Sequence, residues 1–325
     1  MPLSARFLSC RVTLNHFIWC RSAIVGGSCG VRASMSLDWA DETAQQLLDA
    51  GLLPAEGGGI CLILGAVDTG KTTLAIALAK RMAARQTIGI IDADVGQSHI
   101  GPPTTVGWAV VDNSQVELSQ LHAAGIAFIG DVTPVGHLLQ LTAGIAQGAA
   151  ALSQITKLII IDTPGFVHGQ AASALWWTAH QILKPASVLA VQRSDELSDI
   201  LVGLKTFSCQ LEQIRCPLDI PVKSPSERRC YRQSQFNRYF HDFCHYNINI
   251  TEVAVQSTRG LSRESMLSRL VGLRDEEGGD VAIGLITDVQ QDGEIIVVKA
   301  PPLDIGQIRC LVVGDITADI AGSAG

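Results

Sequence analysis

Apolar positions in this chain follow two rhythms. Short runs in which nearly every residue is apolar, at Ile60–Leu64, Ile88–Ile91, Ile126–Ile129, Leu158–Ile161 and Val188–Val191, alternate with longer stretches at Lys71–Ala84, Gly136–Leu152 and Ala171–Leu183. A strand covered on both faces needs no polar face, so the runs predict buried strands and the stretches between them crossover helices. From Gly58 to about Pro221 the pattern predicts an α/β fold, a mainly parallel, doubly wound sheet. After Asn247 the rhythm changes. Val281–Ile286, Gly293–Val298 and Ile308–Val313, separated by Gly, Asp and Pro turns, predict a small β-rich C-terminal domain. Upstream, Ser36–Leu53 reads as an amphipathic helix carrying Leu37, Trp39, Leu47 and Leu48.

Composition narrows the class. With 325 residues, 47% hydrophobic and 17% charged, the chain is too apolar and varied to be disordered or fibrous. A net charge of −7 excludes coating of nucleic acid by bulk charge, so any such contact needs a local basic patch. The most apolar stretch, 143–161, is broken by Gln147, Ser153, Gln154 and Lys157, short of the ~18 uninterrupted apolar residues of a membrane span. No membrane partner is expected. Nine cysteines without a CxxC pair suit a reducing compartment, and a cytoplasmic location is expected. Residues 1–34 hold no Asp or Glu, four arginines and three cysteines, and are expected to lie outside the fold. They read as a transit-like leader or, preferably, as a mis-assigned start before Met35. The expected division is therefore 1–34, a nucleotide-binding domain over 35–245 and the β-rich domain over 246–325.

The chemistry concentrates at strand ends. Gly65-Ala66-Val67-Asp68-Thr69-Gly70-Lys71-Thr72-Thr73 is a full G-x-x-x-x-G-K-T loop between the first apolar run and a helix. There the backbone from Gly65 through Asp68, Thr69, Gly70 and Thr73 can wrap phosphates, Lys71 reaches the β and γ positions, and Thr72 ligates magnesium. ATP or GTP binding follows, with Mg2+. Asp92 and Asp94 follow the second run, at the sheet edge where α/β proteins bind ligands. Either suits a magnesium shell or acceptance of a proton from a hydroxyl, and Asp94 is favoured as the base. Asp162 ends another run, in Asp162-Thr163-Pro164-Gly165-Phe166, as a further magnesium ligand. Ser224, Pro225 and Glu227 form a capping box, so a helix begins at Pro225 with Arg228 and Arg232 one turn apart and Arg229 beside them. Five cations face one acid over 223–238, the basic patch that the net charge left open.

In this order the motifs GAVDTGKTT, DADVGQ, GDVTPVGH and DTPGF resemble those of the polynucleotide 5′-hydroxyl kinases, the family that includes the kinase subunit of the pre-mRNA cleavage complex and ribosomal-RNA processing kinases. The resemblance runs from about Ile60 to Phe240 and implies a P-loop NTPase fold. It implies that Lys71 and Thr72 bind ATP and magnesium and that Asp94 activates the 5′-hydroxyl of a single-stranded or end-exposed RNA or DNA. Gln97, Thr163 and Phe166 are then acceptor-binding residues, Phe166 standing where the family usually carries a base-stacking Trp. Residues 223–240 match an arginine lid in which Arg228, Arg229 and Arg232 act on the transferring phosphoryl group. The resemblance also implies a short form without the β domain that larger members carry before the loop, since only about 25 residues separate Met35 from Ile60. Two other readings stand beside the kinase: a GTPase-like regulator, although Gln192-Arg193-Ser194-Asp195 keeps only the Asp of a guanine-binding N-K-x-D, and an assembly subunit that binds ATP without turnover.

Overall fold

The computed structural model describes residues 29–53, 58–112, 121–257, 263–290 and 294–317. Most of the expected leader, and Gly293 at the start of one expected strand, lie outside the described residues. Helix α1 (Cys29–Asp49) begins seven residues before the expected Ser36. It packs on α2 (Lys71–Ala83), where Arg81 pairs with Asp41 and donates to Gln45.

The first half of the sheet contains β1 (Gly59–Gly65), β2 (Ile88–Asp92), β3 (Thr105–Val111), β4 (Gly125–Phe128), β5 (Leu158–Asp162), β6 (Ser187–Gln192) and β7 (Gln210–Arg215). Their order is β7-β6-β1-β5-β2-β3-β4. The strands from β7 to β2 are all parallel, whereas β3 runs antiparallel to both β2 and β4. Side chains alternate between two cores. Leu62, Leu64, Ile91, Ile159 and Ile161 face α3 (Leu138–Ser153), α4 (Gln170–Leu183) and α5 (Ser198–Leu204). Cys61, Ile63, Ile88, Ile90 and Ile160 face α1 and α2. Both faces are covered, which is why the central strands read as unbroken apolar runs.

Helix α6 (Pro225–Tyr239), the expected lid, leads into β8 (Cys244–Asn249), β9 (Ala254–Ser257), the short α7 (Arg263–Met266), β10 (Arg269–Arg274), β11 (Asp280–Val289), β12 (Ile295–Ala300) and β13 (Cys310–Thr317). These strands prolong the same sheet, since Asp280 of β11 pairs with Ile126 of β4. A third core, with Phe128, Leu270, Ile283 and Leu285, takes in Phe236 and Phe240 at the far end of the lid helix. No helix among the described residues is long and apolar enough to cross a membrane.

Candidate nucleotide and acceptor site

Strands β1, β2 and β5 lie side by side, and their carboxyl ends gather the predicted chemistry. The register sets Asp92 opposite Asp162, and Asp162 opposite Ile63. From the end of β1 the chain enters the phosphate loop, where Asp68 (φ 56°) and Gly70 (φ 86°) take left-handed conformations that turn the backbone around a concave centre. At Gly70 a Cβ would lie 2.9 Å from the Trp39 ring and 3.0 Å from Ile220, so glycine is required by conformation and by space. Thr69 donates to the Ala66 carbonyl at 2.9 Å and Lys71 Nζ to the same oxygen at 2.6 Å. Lys71 is buried; desolvation pushes its pKa down, while Asp162, Asp94 and Asp68 pull it back up.

Thr72 donates its hydroxyl to Asp162 Oδ2 at 2.5 Å, joining the first turn of α2 to the end of β5. The other Asp162 oxygen, Oδ1, is buried with no hydrogen-bond partner. Burial, and then the neighbouring Asp92, push the Asp162 carboxyl up to about 7. A buried carboxylate oxygen without a donor is costly. Beside a threonine hydroxyl it is the hard-oxygen set that magnesium takes together with phosphate, so these two residues fit the cation.

Asp92 serves a different purpose from the expected one. Its Oδ1 accepts from the Asp94 amide, and its Oδ2 from the amides of His99 (2.5 Å) and Ile100 (3.1 Å). Those bonds fold the loop after β2, making Asp92 a loop anchor, whereas the sequence placed it among magnesium ligands. The same loop holds Asp94, whose Oδ1 accepts from the Gly96 and Gln97 amides at 3.1 Å each. Asp94 and Gln97 line one cleft of about 290 Å³ with Asp68, Thr69, Gly70, Lys71, Thr72 and Thr73.

The expected lid, α6, reaches this cleft through its amino end. Ser224 accepts from the Glu227 amide and Glu227 from that of Ser224, the capping box expected from the sequence. Arg228 pairs with Asp68 at 2.5 Å, and the same carboxylate oxygen accepts from the Lys223 amide. Lys223 Nζ donates to Gln97 Oε1 at 3.0 Å. Arg232 is half-buried, and burial together with Arg229 and Arg228 pushes its pKa down, opposed by Asp94. Arg229 is exposed.

Two expected acceptor residues take other positions. Thr163 is fully buried and its hydroxyl donates to the Ile63 carbonyl at 2.7 Å, so this side chain ties β5 to β1 and presents nothing to an acceptor. Phe166 is half-buried, packed against the core, with its carbonyl accepting from Trp176 Nε1. The segment nevertheless lies on the phosphate loop, because a Cβ on Gly165 would come 2.6 Å from the Val67 amide. Arg193 was not among the expected site residues. Its guanidinium donates to the carbonyls of Asp68 (2.7 Å) and Ile220 (3.2 Å), bracing the phosphate loop against the segment that enters the lid. The signal was a cation at the end of β6, readable only once β6 is known to neighbour β1.

The model of the mRNA cleavage and polyadenylation factor CLP1 P-loop family matches residues 65–242, more than half of the chain. The chain belongs to the CLP1 P-loop family. It is 34% identical over 217 residues to a polyribonucleotide 5′-hydroxyl-kinase of Pyrococcus abyssi, covering 64% of this chain and 60% of that protein. To proteins of the same name from Pyrococcus horikoshii and Methanocaldococcus jannaschii it is 32% identical over 198 residues and 29% identical over 209 residues. Those matches cover 61% and 63% of this chain, and 54% and 57% of the relatives. The chain thus spans less than two thirds of the length of these relatives. Among solved structures, wild-type Clp1p in complex with Pcf11p superposes with a TM-score of 0.64 over 87% of this chain and 79% of that one, at 11% identity. That match establishes a Clp1-like P-loop fold.

Proposed function

We propose that this CLP1-family chain transfers the γ-phosphate of ATP to the 5′-hydroxyl end of a polynucleotide, RNA or DNA, in RNA processing or repair. The observation that carries this reading is the meeting, in one cleft, of the phosphate loop with a carboxylate fixed by two backbone amides and with the amino end of an arginine-bearing helix. The relatives named polyribonucleotide 5′-hydroxyl-kinases support it.

Phosphoryl transfer is mostly positioning and electrostatic stabilisation. Lys71 and the amides of 66–73 hold the transferred phosphate. Thr72 and Asp162 would hold Mg2+, which when bound neutralises charge shared between the β and γ phosphates. Asp94 accepts the proton of the attacking hydroxyl, its carboxylate kept in place through Oδ1 by Gly96 and Gln97. Arg228 and Arg232 offset charge on the phosphoryl oxygens, and Arg193 keeps the loop and the lid entrance in register.

The test is transfer of labelled γ-phosphate from ATP, and separately from GTP, to 5′-hydroxyl RNA, matching DNA or no acceptor. Label should appear on the oligonucleotide and fall by about a hundredfold or more in Asp94→Asn, which keeps the oxygen that accepts from Gly96 and Gln97 but removes the base. Nucleotide hydrolysis with no acceptor labelling would refute the kinase.

A further inference from the structure

His99 lines both the cleft at the phosphate loop and a second, wider depression of about 720 Å³. One wall of this groove is the carboxyl half of α6, with Gln235, Arg238 and Tyr239. The opposite wall includes Pro102, His122 and Ile126. It lies where the nucleotide-binding half of the sheet meets the C-terminal strands.

Three features give the groove a ligand class. The first is the geometry of α6. Arg228, Tyr231, Gln235 and Arg238 recur at steps of three, four and three, so they share one helix face. That face starts at the phosphate loop, where Arg228 meets Asp68, and ends in the groove. From Arg228 to Arg238 it runs about 15 Å at ~1.5 Å per residue, the length of about four nucleotides at the ~3.4 Å spacing of a stacked strand.

The second is charge. Arg238 is exposed, and the acid in the lining, Asp280, is already engaged by Arg274 and by the Phe128 amide. The arginine of the lining is therefore not offset by its acid. The third is the supply of ring faces and unpartnered polar atoms along the route. The His99 ring lies 5.6 Å from that of Tyr231, and burial holds its pKa down, so it presents a neutral aromatic surface at the passage. Gln97 Nε2 in the cleft and Gln235 Oε1 in the groove wall are buried without hydrogen-bond partners, a donor and an acceptor that a polar ligand would satisfy. Cations interleaved with ring faces along one helix face are what single-stranded nucleic acid requires.

We propose that this groove carries the RNA strand immediately downstream of the 5′ end held at Asp94, with Arg238 on its phosphate backbone several nucleotides in. The proposal rests on the acceptor reading of the Asp94 cleft and adds a direction to it: the strand leaves along α6 toward the C-terminal strands.

The experiment compares a dinucleotide with an RNA of about ten nucleotides, both bearing a 5′-hydroxyl, in wild type and Arg238→Ala. The variant should raise KM for the longer RNA about five- to tenfold, leave KM for the dinucleotide and both kcat values unchanged, and reduce the salt slope of binding by about one. Arg238 is exposed, so equal melting temperatures will show that the fold is intact. An unchanged KM at both lengths, or an equal rise at both, overturns the groove. Anisotropy of the labelled longer RNA, without ATP, separates the two readings. If wild type phosphorylates no acceptor, the kinase falls, while weaker binding by Arg238→Ala still supports the groove and equal binding ends it.

Discussion

Arg228 pairs with Asp68, a half-buried acid at a left-handed turn of the phosphate loop, and in the proposed mechanism it would exchange that carboxylate for phosphate oxygens. The two members of this ion pair therefore have separable roles. Arg228→Ala should lower kcat by about a hundredfold or more, since an arginine on the transferring phosphoryl group acts mainly in the transition state. Asp68→Ala leaves that arginine free to reach the phosphates and should keep kcat within about threefold of wild type, with the loss appearing in KM for ATP. Steady-state kinetics on both variants decides it: equal losses of kcat would mean that the pair itself is the working arrangement. The placement of Lys71, Thr72 and Asp94 at one cleft was legible in the sequence because it follows from local spacing after a strand. The partners of Asp68 were not, as 160 residues separate it from Arg228. Asp92 and Thr163 misled for a related reason. Asp92 stands two residues before Asp94 and Thr163 directly after Asp162, yet the bonds of each run to a loop or a neighbouring strand that sequence order does not reveal.

Elements buried on both faces were the readable ones. Each of β1, β2, β5 and β6 lies within a residue or two of its apolar run, because a covered strand excludes polar side chains. The strands left out were β7, β8 and β9, which lie along the sheet margins with polar positions, and β3 and β10, whose Gly107 and Gly272 interrupt otherwise apolar runs. The lid helix was readable at its start, where the cap is a local device. Its other end was not, since Phe236 and Phe240 take their meaning from β4, β10 and β11. This asymmetry makes α6 a helix fixed by apolar packing at one end and latched by polar contacts at the other. Phe236→Ala should cost about 3–5 kcal/mol of global stability by opening a cavity in that shared core. Ser224→Ala should cost about 1 kcal/mol, felt as a roughly fivefold faster amide exchange in the first turn of α6 with little change in melting temperature. Thermal unfolding and hydrogen exchange read the two effects separately, and an equal fall in melting temperature for both variants would contradict a lid held from one end.

At the scale of the molecule, the continuity of the sheet turns on one buried carboxylate. Asp280 begins β11 where it meets β4; its Oδ2 accepts from the Phe128 amide at 2.7 Å and its Oδ1 from Arg274 Nε at 3.0 Å. Desolvation pushes its pKa above the ordinary carboxylate range, and Arg274 and the Phe128 amide draw it partly back. With the folded pKa above the unfolded one, the folded state holds more proton between the two. This carboxyl therefore favours folding at pH below the ordinary carboxylate range, and that contribution is lost as pH rises through the raised folded value. Removing the arginine strips away its main compensation. Arg274→Met should cost about 3–5 kcal/mol near pH 8, where a buried charge is left unpaired, and distinctly less near pH 5, where Asp280 can take up a proton. Because Phe128 and Ile126 belong to the core that also grips the end of the lid, this loss should bring a weaker hold on the longer RNA. Melting curves at the two pH values carry the argument: a penalty that is the same at both would show that Arg274 acts through packing alone and that the charge of Asp280 does not govern the junction.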